Sequence, residues 1–260
     1  MKPSRLIILL FLILSGVFAF GQTAVSPKVS VDGTVRAFAS RGDTLIVGGS
    51  FSNAGSFTGG AGLIPLGTDQ PNLNFPKIIG EVYCSTPDGR GGFYIYGSFR
   101  RTTEIAIMSS PRIEHLQADF SFETGFPIAV NSLFRLKTIY YNNGILYIGG
   151  NGDSQIGGQN GGTLCALDIS TKQLVNWLPA IPGTTTSVNC LIVSGNTLYV
   201  VGNFTQIGTA ARNSAAAVEL KTGKIKPWQL NFEPGYNDLL LYKNQLIVGG
   251  GFADKNGNHA

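Results

Sequence analysis

Apolar positions along this chain fall in short, unbroken runs. Five of them resemble one another: TLIVGGSF (44–51), FYIYGSF (93–99), ILYIGGN (145–151), TLYVVGNF (197–204) and QLIVGGGF (245–252). Each is three or four apolar residues long and stops at glycine. None alternates with polar residues, as a half-exposed strand would, so these runs predict strands covered on both faces. A second glycine mark recurs at Gly49, Gly97, Gly150, Gly202 and Gly250, at spacings of 48, 53, 52 and 48 residues. That period approaches the ~40–50 residues of a four-stranded repeat.

Around each run the remaining strands of a unit can be placed. In the fourth unit VNCLIVS (188–194) predicts a first strand, Asn196 sits in the following turn, and TLYVVG (197–202) is the second strand. AAAVEL (215–220), the turn KTGK (221–224) and IKPW (225–228) supply the third and fourth. The glycine that ends the second strand lets another backbone approach closely. Phe51, Phe99, Phe204 and Phe252 are expected to wedge between units, and Trp177 and Trp228 recur at matching places in the third and fourth. The fold class this predicts is all-β: a β-propeller of four-stranded antiparallel blades, with about four and a half blades visible and an incomplete ring. The repeats are expected at about 33–80, 81–130, 131–183, 184–234 and 235–260. Residues 22–32 precede them, and KVSVDG (28–33) is a possible closing outer strand. An outer-membrane barrel fits less well, because its strands alternate over about 9–11 residues.

Composition agrees. Glycine is 35 of 260 residues and charged residues are 13%, against usual values of ~7% and ~25%. Such a chain suits tight turns and is poor in helix formers. Residues 1–21 stand apart: Lys2 and Arg5 precede an apolar run from Leu6 to Phe20, and Ala19 and Gly21 are spaced like a cleavage site before Gln22. The run is shorter than the ~20 residues that span a bilayer, so a cleaved signal peptide and a secreted or cell-surface protein are expected, with no transmembrane span after cleavage. Removing Lys2 and Arg5 leaves 17 basic against 15 acidic side chains, or about +2. The basic residues are scattered, so nucleic acid is not expected as a partner.

The unit at 188–228 resembles the delta-60 repeat, kelch-like β-propellers of secreted bacterial proteins, and PDGRGGFYIYGSF (87–99) resembles a longer-hairpin blade of the same group. The resemblance covers about residues 33–260 and is weakest at RTTEIAIMSSPRIEHL (101–116). It implies a propeller often joined to further C-terminal domains, including a sorting domain, and carries no catalytic motif. The fifth unit stops at GGGFADKNGNHA, so the chain is expected to be a fragment of a longer protein.

Candidate chemistry is sparse. Cys84, Cys165 and Cys190 form no metal pattern, and repeat alignment sets Cys165 over Ala216 and Cys190 over Ala37 and Thr138, which predicts small core residues. His115 and His259 suggest no catalytic arrangement and are expected to be incidental. The segment GGNGDSQIGGQNGG (149–162) lacks the tandem pattern of a calcium-binding repeat. No metal or cofactor is expected, and no enzyme activity. ALDISTKQLVNW (166–177) and VELKTGKIKPW (218–228) also resemble the tryptophan-docking repeats of quinoprotein propellers, so the alternative is a truncated or degenerate propeller enzyme, quinoprotein-like or glycan-active. The favoured reading is a recognition or adhesion module for protein or glycan ligands. Loops that leave second and fourth strands share one end of such units, and Gln155, Gln159, Asn160, Arg212, Asn213, Tyr236 and Asn237 are the candidate ligand rim.

Overall fold

The computed structural model describes residues 31–41, 44–52, 54, 59–68, 70–101, 104, 111–131, 135–183, 185–230 and 236–251. The expected signal peptide, its cleavage site at Gln22 and Phe252 lie outside them. Among the described residues the regular elements are strands: β1 (Thr34–Arg41), β2 (Thr44–Ser50), β3 (Ala61–Pro65), β4 (Ile78–Pro87), β5 (Phe93–Arg101), β6 (Pro111–Leu116), β7 (Ile128–Ala129), β8 (Leu136–Asn142), β9 (Ile145–Ile156), β10 (Gln159–Asp168), β11 (Gln173–Leu174), β12 (Ser187–Ser194), β13 (Thr197–Asn203), β14 (Gln206–Ile207), β15 (Ala210–Ala211), β16 (Ala215–Glu219), β17 (Tyr236–Tyr242) and β18 (Gln245–Gly250). Their ladders are antiparallel throughout.

Most consecutive strands pair in up-and-down order. The first unit is β1-β2-β3, the second β4-β5-β6-β7, the third β8-β9-β10-β11, the fourth β12-β13-β16 and the fifth β17-β18. The third and fourth share one sheet only through the Asn151–Ser187 pair. The predicted fourth strand at 225–228 is reduced to one bridge, Val218 to Ile225; the Lys226 N–H still donates to the Ala217 carbonyl, while the Lys226 carbonyl accepts from Arg212. Among the described residues no strand pairing joins the last unit to the first, so the sheets do not close into a ring or barrel. Val31 bridges to Ala54, within the first unit.

Burial shows why the apolar runs do not alternate. Each of the four larger cores is shared by two successive units. Ile46 and Leu63 of the first unit pack with Ile78, Ile95 and Phe99 of the second. Tyr96 and Ile113 pack with Ile139 and Ile148 of the third. Tyr147 and Leu164 pack with Leu191, Val200 and Phe204 of the fourth, and Val201 and Ala215 pack with Leu239 of the fifth. Successive residues of a second strand therefore face two different neighbours, as in stacked repeats.

Phe99 and Phe204 lie in cores shared by successive units. Phe51 does not: it packs with Val47, Ala54 and Val31 in a cluster within the first unit. It lies on the face that Phe204 turns toward its preceding unit, and among the described residues the first unit has no predecessor. Positions buried in inner units are bare at the ends of the stack: Phe38 is 73% exposed and Ile247 51%. Trp177 stands edge-on to Tyr147 at 6.2 Å, and Trp228 to Tyr199 at 5.1 Å. Both tryptophans pack against the core that their unit shares with the next.

Candidate functional site

One irregularity recurs in all five units. The first strand carries an extra residue opposite the second strand: Arg36 between Val35 and Ala37, Tyr83 between Val82 and Cys84, Lys137 between Leu136 and Thr138, Asn189 between Val188 and Cys190, and Asn237 between Tyr236 and Asp238. These are β-bulges, which bend a strand and re-aim a side chain. The residue before each bulge pairs with the glycine mark, Gly49, Gly97, Gly150, Gly202 or Gly250. A Cβ added at Gly202 would stand 2.0 Å from the Ser187 carbonyl oxygen and 2.8 Å from Val188 Cα. Gly49 and Gly97 are as tightly approached, at 2.0 Å, and Gly150 at 2.6 Å. The recurring glycine thus makes room for the bulged strand.

The bulges lie at the start of each first strand, the end from which second strands run into their following loops. First strands of successive units lie against one another in the order β1, β4, β8, β12, β17, so the bulge residues form a row at one end of the stack. Four of them pair off across unit boundaries, Arg36 with Tyr83 and Lys137 with Asn189: the Arg36 guanidinium lies 5.8 Å from the Tyr83 ring centre and 3.8 Å from the Glu81 carboxylate. Arg135 lies 5.5 Å from the same ring. Lys137 Nζ donates to Asn189 Oδ1 at 2.6 Å, and Ser187 Oγ donates to that oxygen at 3.0 Å. Beside this row, between the first two units, is a groove of about 430 Å³ lined by Asp32, Ser52, Lys77, Ile78, Gly80 and Glu81. The Ser50 hydroxyl, and beyond it Arg36, hold the Glu81 carboxyl below the usual carboxylate range against partial desolvation. Partial burial holds the Lys137 ammonium below the ordinary lysine value.

The residues singled out from sequence are placed differently from one another. Gln155 and Asn160 are exposed and face each other across the β9–β10 hairpin. Gln159 is engaged internally: its amide donates to the Lys172 carbonyl at 3.1 Å and accepts from the Leu174 N–H at 2.9 Å. Arg212 is engaged too, donating to the carbonyls of Ala211 and Lys226 at 2.8 and 2.9 Å. Asn213 is exposed. Tyr236 and Asn237 lie in β17, with Asn237 at the bulge; their side chains fall outside the described residues. Sequence reasoning misses Arg36, Glu81, Tyr83, Arg135, Lys137 and Asn189. The signal is nonetheless present as a triplet, apolar then variable polar then small: VRA (35–37), VYC (82–84), LKT (136–138) and VNC (188–190).

The second unit holds two further polar clusters, at third-strand positions where other units have small or apolar residues. Glu114, fully buried, occupies the place of Gly62, Cys165 and Ala216; it pairs with Arg101 at 2.5 Å and Arg112 at 3.0 Å, and Glu104 pairs with Arg112 at 2.6 Å. Burial pushes the Glu114 carboxyl up, opposed by the two guanidiniums. His115, expected to be incidental, is instead held between Glu123 at 2.6 Å and Asp88 at 3.0 Å and stacks on Tyr94 at 4.3 Å. Register explains it: His115 is the direct cross-strand partner of Tyr94. Burial opposes ionisation of Asp88, but the Arg90 N–H, His115 and the Gly92 N–H more than offset it, and its carboxyl stays below the usual range. Both clusters pair within the second unit, and they account for the departure of 101–116 from the repeat pattern.

Among the described residues no group of three or more His, Cys, Asp or Glu side chains is arranged to hold a metal ion, and no helix is long and apolar enough to cross a membrane. Cys84, Cys165 and Cys190 are free thiols; burial raises all three, Cys165 and Cys190 to about 12.

No protein-family model matches the chain, and no curated protein matches it. Among solved structures it is similar to a computationally designed protein, Ika8, at 12% identity over 88% of this chain and 72% of that one, with a TM-score of 0.46. A likeness of that strength assigns neither a fold family nor an activity.

Proposed function

We propose that this chain is a non-catalytic recognition module that binds a protein or glycan ligand at the end of the stack where the bulges align. The observation that carries this reading is the contrast between constant scaffold and variable display. The glycine and the bulge recur in every unit, whereas the residue at the bulge changes from Arg36 to Tyr83, Lys137, Asn189 and Asn237. A purely structural device would have no need of that variation. A surface built for a particular ligand would.

The finer architecture belongs to the same proposal. Four-stranded meanders in the second and third units, first strands adjacent in chain order and cores shared between successive units support blades of a β-propeller of the delta-60 repeat kind. The basic and apolar pattern of residues 1–21 supports a secreted or cell-surface location. The test is a glycan and peptide array probed with the exported protein and with a Tyr83→Ala, Lys137→Ala variant. Binding by the parent that the variant loses, at unchanged melting temperature, supports a rim site. Binding that the variant retains places the site elsewhere.

A further inference from the structure

Resting on that recognition reading, we infer that the rim takes a short acidic saccharide, a hydroxyl-rich chain bearing carboxylates. The displayed groups differ systematically around the row. The first and third units supply cations, Arg36, Arg135 and Lys137: Arg36 and Arg135 lie about one aromatic ring, Tyr83 of the second unit, with Glu81 as the carboxylate beside Arg36, and Lys137 stands further along the row on Asn189. Asn189, in the fourth unit, supplies an amide, and its oxygen is already held by Lys137 and Ser187. Guanidinium and ammonium groups match carboxylates. Amide, hydroxyl and ring-face contacts match sugar hydroxyls and C–H faces. A ligand carrying both is a uronate-type oligosaccharide.

Three features set the charge class. The cations exceed the neighbouring carboxylate, so a neutral sugar would leave the excess positive charge unanswered. Glu81 stands inside the row with its carboxyl held in the ionised form, which disfavours a densely charged polyanion. Beyond residue 21 the chain is nearly neutral, with 17 basic against 15 acidic side chains, so there is no long-range field to gather nucleic acid or a heavily sulfated chain. Lys137 is preorganised to receive a carboxylate. Its ammonium is partly desolvated and fixed on Asn189, so closing on the ligand orders little that is not already ordered.

The experiment uses the exported protein and four probes: tetragalacturonate, its methyl ester, heparin and duplex DNA. The acid is expected to bind at least about tenfold tighter than the ester, the size of one charge-assisted hydrogen bond. Arg135→Gln and Lys137→Gln should each remove most of that preference without moving the melting temperature, and Tyr83→Ala should weaken acid and ester together. Equal binding of acid and ester, both lost in Tyr83→Ala, would overturn the inference and leave the recognition reading standing. Tighter binding of heparin or DNA, insensitive to Tyr83→Ala, would overturn it in favour of a nonspecific basic surface. No binding of the acid also overturns it, and if no member of the wider glycan and peptide array binds either, the recognition reading falls with it.

Discussion

Gly202→Ala is the perturbation that bears most directly on the bulge. The new Cβ would lie 2.0 Å from Ser187 O, 2.8 Å from Val188 Cα and 2.9 Å from Ser187 C. All three are backbone atoms, so no rotamer change relieves the overlap; β12 itself must withdraw. Withdrawal strains the Ser187–Asn203 and Val188–Gly202 pairs and the Asn151–Ser187 bridge that joins the third unit to the fourth. Overpacking of this kind costs about 1–3 kcal/mol, and two weakened hydrogen bonds add roughly 1 kcal/mol each, for a total of about 3–5 kcal/mol. At this chain length that lowers the melting temperature by roughly 10 °C. The control is Gly249→Ala, whose Cβ would meet only Asp238 Cβ at 3.7 Å, an ordinary contact; it should move stability by less than about 0.5 kcal/mol. Thermal unfolding followed by the fluorescence of Trp177 and Trp228, which pack against the shared cores, reads both. A Gly202→Ala protein melting within about 2 °C of the parent would refute the close-approach account.

Other consequences are as open to measurement. Glu114→Ala removes the buried carboxylate that Arg101 and Arg112 share and leaves them Glu104 alone, which should cost about 3 kcal/mol in a urea titration; adding Arg101→Met and Arg112→Met should restore most of it, since no partly buried cation is then left short of a partner. If Glu114→Ala is neutral, the network has no structural weight. The lowered folded-state value of Asp88 contributes stability that is full above the unfolded aspartate range, about pH 4, and is lost as pH falls through that lower value. Asp88→Asn should therefore flatten part of the acid limb of a stability–pH curve, and an unchanged limb would contradict it. The three thiols, raised by burial, should react slowly with a thiol reagent in the native protein, with Cys190 the fastest, and all three should react in denaturant. A count below three in denaturant would reveal a disulfide.

How much of the molecule is legible in its sequence follows from what each feature depends on. The second strands are plain because each apolar run meets two neighbours at once, which fixes both length and composition. The recurring glycine is also plain, and so is its meaning as a place of close approach. The bulge it accommodates is not, because a bulge is a property of register between two strands, whereas the sequence displays one strand at a time. Sequence reasoning therefore passes over Arg36, Tyr83, Lys137 and Asn189 for the loop residues Gln155, Gln159, Asn160, Arg212 and Asn213. Two of those, Gln159 and Arg212, hold backbone carbonyls in place, and polar loop residues at such sites look the same in sequence whether they cap a strand or face a ligand. His115 is hidden for a related reason: Asp88 lies 27 residues from it in the chain, and only the Tyr94–His115 register brings the two together. The fourth strand near 225–228 is overestimated from sequence: the ladder stops at Lys226, whose carbonyl is taken by Arg212 from another part of the unit.

The central claim is that ligand is taken at the bulge end of the stack. Its most direct test is a map of backbone amide shifts in the isotopically labelled protein as an array-selected ligand is titrated in. The account predicts changes clustered at Arg36, Tyr83, Lys137, Asn189 and Asn237. Changes centred at the opposite end, on the hairpin turns at Asn143–Gly144 and Gly195–Asn196, would contradict it.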